Sequence, residues 1–244
     1  MSLILVFLAF GLGGILKGAT GAGAPIIAVP VMTIFFGAPF AVAVFAIPNL
    51  VTNVWQGWSF RRHALASPLT LHFAVAGALG AGIGSFLLAW LPSEALNLAV
   101  ALSVLAYVAF RALRPGWVLS LTRAERLAAP MGVLGGILQG AAGLSAPVSL
   151  SFLNALKLQR PQFIFTISIF FLAMALVQIP LLAGLGILTG ERFFVSCLAL
   201  IPLVATMPLG AWLGKRLSAV IFDRVILGLL VILSLRLVWQ AVAV

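Results

Sequence analysis

Uninterrupted apolar runs constrain this chain more than any other feature. Residues 68–92, for example, contain no Asp, Glu, Lys or Arg, and about 20 apolar residues are enough for a helix to cross the core of a bilayer. Charged residues make up only 7% of the chain, against roughly 25% in a soluble domain. The runs also lack the alternation of polar and apolar residues that a transmembrane barrel needs. The sequence therefore predicts an all-α integral membrane bundle.

The basic residues of the chain act as a topology signal. The net charge is +10, but most of the basic residues lie in short turns between apolar segments, as in membrane proteins that follow the positive-inside rule. We therefore expect a lipid bilayer as the surrounding partner and no nucleic acid. The first apolar piece lacks a basic flank and a cleavage site, so we expect it to be retained. A single cysteine, Cys197, provides neither a disulfide framework nor a metal cluster.

Ten apolar pieces divide the chain into two halves of five. They cover residues 2–17, 24–36, 39–60, 67–90 and 93–111, and then 127–139, 146–155, 161–183, 193–213 and 221–242. The only polar connector of any length lies between the halves. We therefore expect a first transmembrane repeat at 1–113, a basic cytoplasmic connector at 114–126 and a second transmembrane repeat at 127–244.

The two halves share a glycine-rich motif. Residues 12–25 read LGGILKGATGAGAP and residues 134–147 read LGGILQGAAGLSAP, with ten of fourteen positions identical at an offset of 122. The same offset aligns Pro39 with Pro161 and Gln56 with Gln178. An odd number of pieces in each copy inverts the second copy, and inversion puts eleven of the 14 basic residues on one side of the membrane. The sequence predicts two inverted-topology repeats.

Each motif contains a break in helical structure. The segments 18–23 and 140–145 lie between pieces of about 10 to 17 residues, the shortest of which cannot cross a core about 30 Å thick. Non-helical backbone at membrane depth persists only where it is buried in protein or lines a wet cavity. Pro25 and Pro147 follow the breaks, near the first position of a new helix. We expect broken or re-entrant short helices whose positive N-termini meet near the centre of the bundle.

Two such N-termini with glycine-rich backbone favour a binding site for an anion. Lys17 adds a full positive charge, Gln139 adds a neutral donor at the equivalent position, and Thr20 and Ser145 add hydroxyl groups. The amides of Gln56 and Gln178 lie in long apolar pieces and extend this set of polar groups. Asn49, Thr52 and Asn53 lie on turns adjacent to Gln56. The predicted substrate-binding residues are Lys17, Gly18, Thr20, Gly21, Gly23, Asn53, Gln56, Gln139, Gly140, Gly143, Ser145 and Gln178.

Three alternatives stay open at this point. Closely spaced glycines also form packing surfaces between membrane helices. Lys17 can instead extend to a membrane interface if the first piece crosses the bilayer fully. Gln56 and Gln178 can serve helix–helix hydrogen bonds without contacting a substrate.

The acidic residues argue against catalysis and cation transport. Glu94, Glu125, Glu191 and Asp223 lie at segment ends or in connectors, so no embedded carboxylate is expected to bind sodium or relay a proton. No metalloprotease, Walker or redox motif occurs in the sequence. We expect neither an enzyme nor a bound cofactor or metal.

The doubled glycine-rich opening with its proline, the two similar halves and the basic connector resemble the TauE/SafE family of sulfite exporters. The resemblance implies a bacterial cytoplasmic-membrane transporter of a small sulfur-containing oxyanion, such as sulfite or an organosulfonate. We expect a secondary transporter, working as an exporter, that operates by alternating access around a central anion site. An anion channel of the same architecture and a non-transporting membrane assembly subunit remain alternatives. The sequence leaves the anion, the direction, the coupling ion and homo-oligomerisation open.

Overall fold

The fold is taken from a computed structural model that describes residues 3–113, 118–216, 228 and 231–239. Within these residues the regular structure is helical throughout, with no strand. The predicted all-α bundle is thus confirmed.

The first half contains five helices in the predicted order. They are α1 (Leu3–Thr20), α2 (Ala24–Phe36), α3 (Ala38–Ser59), α4 (Leu69–Trp90) and α5 (Ser93–Leu113). A single 3-10 turn at Arg61–His63 connects α3 to α4.

The second half follows the same order. Its described helices are α6 (Leu121–Ala142), α7 (Ala146–Ala155), α8 (Arg160–Gly184) and α9 (Gly190–Arg216). The tenth predicted piece, 221–242, lies mostly outside the described residues, which are helical at 231–239. Asp223 and Arg224 also lie outside them.

Six of the described helices are long and apolar enough to cross a membrane: α1, α3, α4, α5, α8 and α9. Helix α2 has 13 residues and α7 has 10. At a rise of 1.5 Å per residue these two are too short to cross a core about 30 Å thick. The chain is therefore a multi-pass membrane protein with short helices inside it.

Two expected lengths were wrong. Helix α1 has 18 residues, and α6 has 22 because it begins at Leu121, inside the predicted connector. The predicted connector contains Arg123, Glu125 and Arg126, but charge does not prevent a helix from forming where its first turns extend beyond the apolar region. Of the four helices that flank the two breaks, only α2 and α7 are short.

Glycines bring two pairs of helices into very close contact. Helix α6 packs on α4, where Gly136 lies directly against the backbone of Gly77. Helix α1 packs on α9, where Gly14 lies against the backbone of Leu203. A β-carbon at either glycine would overlap the facing carbonyl oxygen, so these glycines permit the close approach of the helix backbones.

Helices α3 and α8 lie between these pairs and form much of the core. Helix α8 packs on α4, and its Phe170 stacks on Phe73 with ring centroids 3.9 Å apart. Helix α3 packs on α8 and α9. Their packing positions the polar face of α3 beside the end of α1.

Candidate functional site

A left-handed glycine ends the helix at each break, and the breaks are shorter than predicted: α1 extends to Thr20 and α6 to Ala142, so the non-helical residues are 21–23 and 143–145. Gly21 has a φ of 88° and Gly143 a φ of 67°. Their N–H groups donate to the carbonyl oxygens of Lys17 at 2.7 Å and Gln139 at 2.8 Å. This is the helix-ending geometry that glycine adopts without a steric penalty. The two copies of the motif therefore share one backbone conformation, at the same position in each copy.

A new helix begins directly after each break. Gly23 precedes α2 and Ser145 precedes α7, with a proline in the first turn of each helix. Proline is favoured there because its missing N–H would have no partner in the helix. The prediction that each break ends at a helix N-terminus is confirmed.

Each break packs against the opposite half of the chain. A β-carbon on Gly21 would lie 2.7 Å from Cγ1 of Ile164 in α8, and one on Gly143 would lie 3.1 Å from side-chain atoms of Val29 and Val42. Ala22 and Leu144, which follow Gly21 and Gly143 within the breaks, belong to one buried cluster. No hydrogen bond joins the two breaks in the part of the chain that the structure describes, so their meeting in one pocket stays a prediction.

Lys17 lies inside the protein. Its side chain is 1% exposed, and its Nζ donates to Oδ1 of Asn53 at 3.0 Å. No other charged side chain is buried among the described residues, and none of their carboxylates pairs with Lys17. The interfacial alternative for Lys17 therefore does not fit its position.

The polar residues of α3 form a connected group around Asn53. The Nδ2 of Asn53 donates to the backbone oxygen of Asn49 at 2.7 Å and to its Oδ1 at 2.8 Å. The hydroxyl of Thr52 donates to the carbonyl of Pro48 at 2.6 Å. All these side chains are buried. The structure thus brings Lys17 and Asn53 together, as the sequence reasoning grouped them.

A second polar group surrounds Gln139. The Nε2 of Gln178 donates to the carbonyl oxygens of Gln139 at 3.4 Å and Gly140 at 3.5 Å. The Oε1 of Gln139 is buried without a hydrogen-bond partner among the described residues. Gln56 is separate from this group and accepts a hydrogen bond from Ser168 at 3.5 Å.

Several predicted binding residues have structural contacts instead. Gly18 lies against Met207 of α9, and Gly140 lies against Ala81 of α4, so both serve helix packing. The Thr20 hydroxyl donates to Leu16 O at 2.8 Å. A β-carbon on Gly23 would overlap the side chain of Leu16. The packing alternative therefore explains the position of these glycines.

Ser145 also has a local partner. Ser149 donates to the backbone oxygen of Ser145 at 3.0 Å, and the two hydroxyl oxygens lie 2.9 Å apart. Both side chains are fully buried.

Sequence reasoning did not single out Arg160. Its guanidinium donates to the carbonyl oxygens of Gly18 at 3.4 Å and Ala19 at 3.1 Å, where α1 ends. A cation at a helix C-terminus stabilises the exposed carbonyl groups. The contact joins residues more than 140 positions apart, so no local pattern could have found it.

The Lys17 group offers hydrogen-bond donors to a ligand. It combines one ammonium group with neutral amides, and the described residues contain no cluster of three or more His, Cys, Asp or Glu that could hold a metal ion. An ammonium held by one neutral oxygen has further N–H groups to donate to an anion.

The comparisons agree with the resemblance seen in the sequence. Searches of curated proteins and of solved structures find no match. The family model described as "Sulfite exporter TauE/SafE" matches residues 5–237, which is nearly the whole chain. The chain therefore belongs to the TauE/SafE family of sulfite exporters.

Proposed function

We propose that this chain is a secondary transporter that exports a small sulfur-containing oxyanion, such as sulfite or an organosulfonate, across the bacterial cytoplasmic membrane. The anion would bind at Lys17, and alternating access would expose the site to each side in turn. The observation that carries the proposal is the burial of Lys17 beside a neutral amide, without a carboxylate.

The energetics of a buried charge support an anionic ligand. Lys17 lies in the last turn of α1, and burying an ammonium group inside protein is unfavourable unless the charge is paired and hydrogen-bonded. The oxygen of Asn53 satisfies one hydrogen of the ammonium but leaves its charge uncompensated. A bound oxyanion would supply both the charge and the missing acceptors.

The packing of the helices supports two equivalent repeats that move against each other. With α1 equivalent to α6 and α4 equivalent to α9, the contact of α1 with α9 is equivalent to that of α6 with α4. The contact of α3 with α9 is likewise equivalent to that of α8 with α4. Each half therefore packs its first helix on the fourth helix of the other half, an arrangement suited to rocking one half against the other.

The test is sulfite flux through the purified full chain in liposomes. We expect Lys17→Ala to abolish flux because it removes the charge and the donors. Lys17→Gln introduces the residue that the second half has at the equivalent position, Gln139. This variant should retain more binding than Lys17→Ala if hydrogen-bond donors matter, whereas an equal loss in both variants would assign the effect to charge. Lys157→Gln is the matched control, because Lys157 is an exposed lysine and its loss should leave flux unchanged.

Three results would redirect the proposal. Flux faster than a carrier can turn over, with no accelerated exchange when anion is present on both sides, would indicate a channel. Wild-type liposomes that show no flux of sulfite, sulfate, thiosulfate or methanesulfonate would favour the non-transporting assembly subunit. Unchanged flux in Lys17→Ala would remove Lys17 from the site.

A further inference from the structure

We propose that Asn53 is a positioning residue: it holds the Lys17 ammonium in place without neutralising it and does not itself donate to the anion. The proposal rests on the proposed function for the identity of the ligand. It changes the role of Asn53 from a direct substrate contact, as the sequence suggested, to a fixed neutral partner of the lysine.

The hydrogen bonds of Asn53 use all of its donors. A primary amide has two N–H groups, and Nδ2 donates to the backbone oxygen and to Oδ1 of Asn49. Lys17 is a donor only, so the atom of Asn53 that faces it must be the oxygen. The orientation of the amide is therefore determined by its partners, and no N–H of Asn53 remains for an anion.

The Lys17 ammonium keeps the capacity to bind. It has three N–H groups, and Asn53 accepts one of them. A carboxylate at the position of Asn53 would form a buried ion pair and cancel the charge that an anion needs. Asn53 thus lowers the cost of burying Lys17 while leaving the charge for the ligand.

The second copy of the repeat provides an internal comparison. At the same offset of 122 residues, Lys17 is equivalent to Gln139, Asn49 to Phe171 and Asn53 to Ala175. The half without the lysine therefore also lacks both asparagines. A pair of asparagines that served only the folding of this helix would have no reason to occur with the lysine alone.

The first experiment is a double-mutant cycle on the full chain in detergent, without anion. Asn53→Leu removes the amide at similar size, and Lys17→Met removes the charge at similar length. We expect Asn53→Leu to lower the Tm clearly in the Lys17 protein and by less than half as much in the Lys17→Met protein. Asn53→Ala replaces the leucine variant if that protein fails to insert.

Thr52→Val is the matched control for the cycle. Thr52 is buried on the same helix, and its hydroxyl bonds within that helix. Its effect on the Tm should be the same with Lys17 and with Met at that position. An equal effect of Asn53→Leu in both backgrounds would overturn the proposal, because Asn53 would then not act through Lys17.

The second experiment uses Asn53→Asp and methanesulfonate, an anion whose charge does not change near neutral pH. We expect Asn53→Asp to be at least as stable as Asn53→Leu, but to need more than tenfold more methanesulfonate for the same rise in Tm. A wild-type response in Asn53→Asp would overturn the proposal. If wild-type protein responds to none of the four anions tested in liposomes, the proposed function and the anion-binding part of this proposal fail together. The anion-free cycle still decides whether Asn53 holds Lys17.

Discussion

The positive φ of Gly21 and Gly143 determines where α1 and α6 end. An L-residue in this conformation costs roughly 1–2 kcal/mol, and the packing around the two glycines adds to that cost by different amounts. A β-carbon at Gly21 would lie 2.7 Å from Ile164, and one at Gly143 would lie 3.1 Å from its nearest neighbours. Gly186 has a φ of 71° with nothing within 4 Å.

These three glycines form a graded series of alanine substitutions. We expect Gly186→Ala to lower the free energy of unfolding by about 1 kcal/mol through backbone strain alone. Gly143→Ala should cost more, and Gly21→Ala should cost the most because Ile164 must move. Unfolding by denaturant in detergent measures the order. Equal losses of unfolding free energy at all three positions would mean that the packing around Gly21 and Gly143 adds nothing to the cost of the substitutions.

At the scale of helices, Pro48 interrupts the hydrogen bonding of α3 one residue before Asn49. Proline has no N–H, so the carbonyl of Val44 loses its partner in the helix. Ser196 of α9 donates to that carbonyl at 2.7 Å and accepts from the N–H of Ile47 at 3.2 Å. A side chain from a neighbouring helix thus replaces the missing backbone bonds, as membrane helices require.

This replacement makes the effect of Ser196→Ala depend on Pro48. We expect Ser196→Ala to lower the free energy of unfolding by about 1 kcal/mol, the size of an interhelical hydrogen bond in a membrane protein. In Pro48→Ala the returned N–H bonds to Val44, so Ser196→Ala should then cost much less. A double-mutant cycle measured by denaturant unfolding tests this, and additive losses would contradict it.

The sequence predicted some elements better than others for physical reasons. The bounds of α2 and α7 follow from a glycine break with proline on one side and a turn on the other, and both were predicted correctly. The start of α6 was missed because Arg123 and Arg126 were interpreted as a connector. Sequence reasoning placed Lys17 and Asn53 in one polar site but did not predict the hydrogen bond between them. The contacts of Arg160 and Ser196 join distant residues, which a local pattern cannot reveal.

At the scale of the whole molecule, inversion of the repeats predicts which turns face the cytoplasm. Ala64 follows α3, and Thr189 lies in the equivalent turn after α8; both are exposed. Inverted repeats place these two turns on opposite sides of the membrane, whereas parallel repeats place them on the same side. The positive-inside rule assigns the turn next to Arg61 and Arg62 to the cytoplasm.

Single cysteines introduced in a Cys197→Ala background test this arrangement. We expect a membrane-impermeant maleimide added to intact cells to label Thr189→Cys and to leave Ala64→Cys unlabelled until the membrane is opened. Gln159→Cys should behave like Ala64→Cys, because Gln159 lies in the turn before α8, between the basic residues Lys157 and Arg160. Labelling of Ala64→Cys and Thr189→Cys from the same side would exclude inverted repeats. The exchange of equivalent conformations between two inverted halves would then no longer explain how one site opens to opposite faces of the membrane.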